Sequence, residues 1–239
     1  ATLKLAPVDD SGQIIGSEFQ RLLSTRTKIA AFAHVSNVLG TVTPAEELIR
    51  LAHSAGAKVL VDGAQAVSHL PVDVTALDCD FYVFSGHKIF GPTGIGVLYG
   101  KRALLGEMAP YQGGGNMISN VTAAASQFRE PPHRFEAGTG NIAGAIGLSC
   151  AVTYVSQIGL EAVRQYEQDL LIYAIKAIEQ IPGISVVGNA ASKAGIISFF
   201  SKNMDSNDLA ALLDREGIAL RAGHHCAQPV VRRFGREHV

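Results

Sequence analysis

The chain has 239 residues, of which 47% are hydrophobic and 17% charged, with a formal net charge of -1. That composition belongs to a globular chain of one large or two modest domains, and it lacks the positive excess of a nucleic-acid binder. No apolar run approaches the ~20 residues of a membrane span, and Ala1 to Asp10 has no charged head leading into an apolar stretch. Cys79, Cys150 and Cys226 are far apart and form no CxxC pair. A reducing compartment, the cytoplasm, is expected, with neither a membrane nor a nucleic acid as partner.

In chain order, Lys28 to His34 (KIAAFAH) reads as a buried strand. Pro44 to Ala55 reads as a helix with Leu48, Leu51 and Ala52 on one face, started by Thr43-Pro44 and ended by Gly56. Lys58 to Val61 (KVLV), Phe81 to Phe84 (FYVF) and Gly96 to Tyr99 (GVLY) read as strands, the last two separated by a turn around Gly91-Pro92-Thr93-Gly94. This alternation predicts an α/β unit with parallel strands. Gly113 to Gly140, punctuated by consecutive glycines and by Pro131-Pro132, reads mostly as loop. Ile142 to Ile181 reads as two helices with a break near Gly159. Past Pro182-Gly183, strands at Ile196 to Phe200 and Ile218 to Leu220 flank a helix from Ser206 to Glu216, a small α+β unit. A boundary near residue 160 divides the chain into a large domain, 1–160, and a small one, 161–239.

The residues with chemical potential follow strands. Asp62-Gly63-Ala64-Gln65 comes directly after KVLV, where open α/β sheets bind ligands; an Asp there equally caps a following helix. FYVF leads into Ser85-Gly86-His87-Lys88. A lysine in such a place is commonly a surface residue, yet the hydroxyl, the close-approach backbone and the imidazole before it are suited to holding a phosphate beside the amine. Partial burial would lower the pKa of that amine toward the uncharged form that a Schiff base requires. Gly91 to Gly96 (GPTGIG) lacks the Lys-Ser/Thr of a P-loop and leads into a strand, so it reads as a tight connection.

Arg221-Ala222-Gly223-His224-His225-Cys226-Ala227 follows the expected strand Ile218 to Leu220. Adjacent residues rarely converge on one ion and no second ligand pair stands at finger spacing, so no metal is expected. Histidines, an arginine and a glycine around Cys226 give it a route to thiolate character. Cys79 and Cys150, among apolar residues, read as buried inert thiols.

VDGAQ, SGHK with GPTGIG, FEAGT and RAGHHCA occur in this order and resemble group II cysteine desulfurases of the class-V aminotransferase family. The resemblance covers essentially the whole chain. It implies fold type I of the pyridoxal-phosphate (PLP) transferases, with a mostly parallel sheet in the large domain and a smaller α+β C-terminal domain. It implies Lys88 as the residue that bonds PLP and shuttles the substrate proton, and Asp62 as partner of the pyridinium nitrogen. Gln65 would bond the ring's phenolic oxygen, Ser85 and His87 the phosphate, and Asn37 in HVSNVLG would lie near cofactor and substrate. Thr139 would be a phosphate ligand lent to a second subunit, hence a homodimer. Cys226 would take sulfur from L-cysteine as a persulfide, leaving alanine, for a sulfur-acceptor protein in iron-sulfur cluster supply. Arg221 would position the substrate or the cysteine loop. L-selenocysteine is an alternative substrate, and transamination or a non-catalytic, partner-binding remnant an alternative role.

Two departures stand out against the family pattern. Gly140 replaces a proline after Thr139, adding backbone freedom to that turn. The family's N-terminal portion, with a histidine that stacks on PLP, and an arginine beyond the cysteine motif that binds substrate carboxylate, have no counterpart in this sequence.

Overall fold

The computed structural model describes residues 1–239. Its first half runs α1 (Gly16–Leu22), β1 (Ile29–Ala33), α2 (Ala45–Ser54), β2 (Lys58–Asp62), α3 (Ala66–His69), α4 (Val74–Leu77), β3 (Phe81–Ser85), a 3-10 turn (Gly86–Ile89), β4 (Gly96–Gly100) and α5 (Arg102–Glu107). There follow β5 (Ile118–Val121), β6 (Ser126–Phe128), the long helices α6 (Ile142–Ile158) and α7 (Leu160–Glu179), β7 (Ile184–Val187), β8 (Ser198–Ser201), α8 (Ser206–Arg215) and α9 (Gln228–Arg233).

The main sheet has the order β1-β2-β3-β4. The first three strands are parallel, with Ala33 opposite Asp62 and Asp62 opposite Val83, so their carboxyl ends share one edge. The fourth pairs antiparallel with β3 across the Gly91–Gly94 connection, which leaves the sheet mostly parallel. The connection is too short to carry the crossover that a parallel partner requires. One face of the sheet (Ala30, Val59, Val61, Tyr82) packs on Leu48, Ile49 and Ala52 of α2 and on Leu148 and Val155 of α6, forming the principal core. Ile29 and Leu98, on the opposite face, are more than half exposed.

At the amino ends of β2 and β3, buried Asp80 accepts the Val59 N–H at 2.8 Å and pairs with His53 Nε2 at 2.7 Å. This carboxylate ties the end of α2 to the sheet on the side away from the ligand-binding edge.

The two long helices meet at Gly159, whose φ of +87° turns the chain. No single helix is long and apolar enough to cross a membrane; α6 and α7 satisfy the length and composition only together, across a 70° bend. The first half's α3 is held to α7 by His69 Nδ1 and Glu167, 2.7 Å apart. The second half forms its own two-stranded antiparallel sheet, β7-β8.

Several expectations are corrected. Residues 218–220 form no strand: Ile218 and Leu220 are 49% and 44% exposed, and no neighbouring strand offers them a ladder. The stretch expected to be loop contains the hairpin β5-β6, closed between Thr122 and Ala125. Its strands are mostly exposed and polar, so they carry no alternating apolar signal. Cys150 is exposed, because the buried stripe of α6 runs through Gly144, Leu148, Ala151 and Val155 and leaves residue 150 on the outer side. Cys79 is fully buried, and burial pushes its thiol pKa up.

Candidate active site

The shared carboxyl edge of the parallel strands faces the segments around β8, α8 and the RAGHHCA loop across a cleft of about 920 Å³. That size is in the range of small-molecule sites. The first half contributes Asn37, Asp62, Gln65 and Lys88 to its lining, and the second half Arg221, His224, His225 and Cys226. Chain positions separated by more than a hundred residues thus converge on one cavity.

Asp62 is the last residue of β2, and its Oδ1 accepts the Ala64 N–H at 2.8 Å. This bond shapes the turn after the strand and leaves Oδ2 for another donor. Beneath the turn, a Cβ on Gly63 would lie 2.0 Å from Tyr82 Cε1, so only glycine permits this packing. Tyr82 is buried and its hydroxyl is 3.1 Å from His34 Nδ1. Burial lowers the His34 pKa and raises that of Tyr82, so both stay neutral at pH 7. A neutral buried pair therefore sits under the turn that carries the cleft's carboxylate. Neither is singled out from sequence; the one available signal is a polar group attached to each apolar strand run, His34 directly after IAAFA and the Tyr82 hydroxyl within FYVF.

Lys88 is half-buried on the 3-10 turn that follows β3, and its side chain lines the cleft. Ser85 ends the strand and His87 is exposed; neither lines the cleft. Thr139 is exposed and also lies outside it. Of the residues singled out from sequence, Asn37, Asp62, Gln65, Lys88, Arg221 and Cys226 are brought together, while Ser85, His87 and Thr139 are not.

Cys226 is exposed within a tight turn in which the Ala227 N–H donates to His224 O at 2.7 Å. Both central residues, His225 (φ 50°) and Cys226 (φ 59°), are left-handed, as in a type I′ turn, a conformation that side-chain-bearing residues seldom adopt in succession. Nowhere in the chain do three potential metal-ligating side chains converge.

A primary amine, a carboxylate with a free oxygen and a side-chain amide on one wall, facing a thiol and a guanidinium on the other, suit a small aromatic cofactor and an amino-acid substrate.

A profile of the family Aminotransferase class-V matches residues 1–239. A cysteine desulfurase of Synechococcus elongatus is 58% identical over 237 residues, which are 99% of this chain and 38% of that protein. The crystal structure of the cysteine desulfurase CsdA from Escherichia coli superposes with a TM-score of 0.93 at 38% identity, covering 98% of this chain and 58% of the other. C-DES, with glycine covalently linked to its PLP cofactor, superposes with a TM-score of 0.79 at 26% identity over 87% of this chain and 56% of its own. The chain thus spans 38% to 58% of the length of these relatives. On the profile match over its full length, this chain belongs to the class-V aminotransferase family.

Proposed function

We propose that the chain carries the PLP-binding and sulfur-accepting core of a cysteine desulfurase. The observation that carries the reading is the convergence of Lys88, Asp62 and Cys226 on one cleft from opposite halves of the chain. The net reaction is L-cysteine plus the Cys226 thiol giving L-alanine plus the Cys226 persulfide. The substrate's carbon–sulfur bond breaks, a sulfur–sulfur bond forms, and the proton of the thiol balances the carbon left behind.

When bound, PLP supplies an electron sink for charge developing on the substrate. Asp62, through its free carboxylate oxygen, would hold the proton of the ring nitrogen, and Gln65 would donate to a ring oxygen. Lys88 Nζ would bond the cofactor and move the substrate proton. The Arg221 guanidinium, which lines the same cleft, would help position the substrate or the cysteine loop. Cys226 is exposed at the cleft rather than sealed within it, which suits onward transfer of sulfur to an acceptor protein, as iron-sulfur cluster supply requires. The exposure of Thr139 outside its own cleft supports a homodimer in which it serves the second subunit's cofactor phosphate.

The test adds PLP and compares the visible spectrum with that of Lys88→Ala, then seeks a persulfide on Cys226 by mass spectrometry after exposure to L-cysteine. A visible band that needs Lys88, followed by the persulfide, is expected. Alanine formed with no persulfide at Cys226 sinks the assignment of the nucleophile. Release of selenide from L-selenocysteine with little sulfide from L-cysteine reassigns the substrate, and a keto acid product points to transamination.

A further inference from the structure

The turn that presents Cys226 cannot be held by its own sequence. Two successive left-handed residues, His225 and Cys226, stand where glycine or asparagine is favoured, so contacts from elsewhere must over-determine the conformation. Three such contacts are present. Gly223 and Val239 exchange a pair of backbone hydrogen bonds at 3.0 and 3.1 Å. The His225 ring nitrogen Nε2 approaches Val239 O at 3.3 Å. From across the cleft, Asn37 Nδ2 donates to the His225 carbonyl at 2.6 Å.

The Asn37 contact is the one that spans the two halves of the chain, and it is backed by a rigid anchor. Val38 and Leu39, immediately after it, are each 2% exposed and pack with Val187, Val231 and Val239 in the second half's own core. The Val38 carbonyl accepts a hydrogen bond from Ser198 Oγ. A Cβ on Gly40 would lie 2.7 Å from Ile196 O, so the segment is pressed backbone to backbone against the stretch that leads into β8. Residues 37–40 form a tongue fixed in the second half, and Asn37 is its tip.

We infer that Asn37 is a positioning residue for the sulfur-accepting thiol: its amide clamps the His225 carbonyl and holds the left-handed turn that keeps Cys226 facing the cleft. This deepens the proposed desulfurase reading and rests on it for the meaning of Cys226, whereas the clamp is a property of the chain without any cofactor. An aspartate at position 37 keeps the shape and removes the donor, so Asn37→Asp isolates the hydrogen bond.

The experiment has two readouts. Amide hydrogen exchange on the cofactor-free chain compares Ala227, whose N–H closes the turn, with Val59 in the core sheet. In Asn37→Asp and Asn37→Ala, Ala227 is expected to exchange roughly fivefold faster relative to Val59, the scale of one lost hydrogen bond. An unchanged ratio, whether both amides hold or both loosen, overturns the clamp. The second readout adds PLP and L-cysteine and follows the visible band and the Cys226 persulfide separately. The clamp predicts persulfide formation slowed roughly fivefold or more at saturating L-cysteine, with the half-saturating concentration unchanged; a raised half-saturating concentration with an intact saturated rate, or loss of the band, overturns it by placing Asn37 at the substrate or the cofactor. If the wild-type chain shows no band at all, the desulfurase reading fails, while the exchange ratio still decides the clamp.

Discussion

Lys193 offers a quantitative test of how the two halves are joined. This residue is 8% exposed, its ammonium donates to Gly188 O at 2.6 Å, and its backbone bridges Thr41. No carboxylate is paired with it, and burial pushes its pKa down to about 8. The unfolded chain has an ordinary lysine near ~10.4. Below pH 8 both states hold the proton, and the folded state bears the full cost of a buried charge. Between the two pKa values the unfolded chain holds a proton that the folded chain has released, so stability rises with pH across this window. At ~1.4 kcal/mol per pH unit, the gain accumulated by pH 10 is about 2–3 kcal/mol. Lys193→Met keeps the length and removes the titration. Urea midpoints of both proteins between pH 7 and 10 give the difference, in which the titration of every shared tyrosine and cysteine cancels. The wild-type chain should gain on the variant by that amount as pH rises. A difference flat to within about 0.5 kcal/mol would refute the assignment of a buried, uncompensated ammonium.

Two further substitutions test the framework of the cleft. Gly63→Ala forces a methyl group into the Tyr82 ring, and an overpacked site of this kind should lose about 1–3 kcal/mol in urea unfolding; an unchanged midpoint would mean the Asp62 turn tolerates displacement. Asp80→Ala leaves the buried Val59 N–H without its acceptor and His53 without its hydrogen bond. It should cost about 2–4 kcal/mol while Cys226 remains as reactive toward iodoacetamide as in the wild-type chain, because Asp80 lies at the opposite end of the strands from the cleft.

Most of the sheet and its flanking helices is legible in the sequence because burial enforces periodicity. KVLV and FYVF are short apolar runs with one face in the core, and Leu48 and Ala52 recur at helical spacing because α2 packs on that face. Several elements that escape notice lack that pressure: α3 and α4 have four residues each, and β5-β6 is a solvent-facing hairpin. The seven-residue α1 and the four-residue β7 also escape notice, although each buries an apolar side chain, Phe19 and Val187, because neither is long enough to display a period. Residues 218–220 look like a strand because they are apolar, yet apolar character alone cannot supply the neighbour that a ladder needs.

Local order in the sequence also determined which residues are candidates for chemistry. Asp62 ends one apolar strand run and Lys88 follows another, and Cys226 sits in a run too polar for a core, so their types and order mark them in the sequence. Which of them share a space was decided by the tertiary structure alone. The parallel register aligns Asp62 with the end of β1 and aims the 3-10 turn of Lys88 at the same edge, while Ser85, His87 and Thr139 fall outside the cleft. The left-handed conformation of His225 and Cys226, the neutral His34–Tyr82 pair and the reach of Asn37 across the cleft have no signature in residue type. Each depends on contacts between segments tens to hundreds of residues apart, where packing overrides what any local stretch prefers.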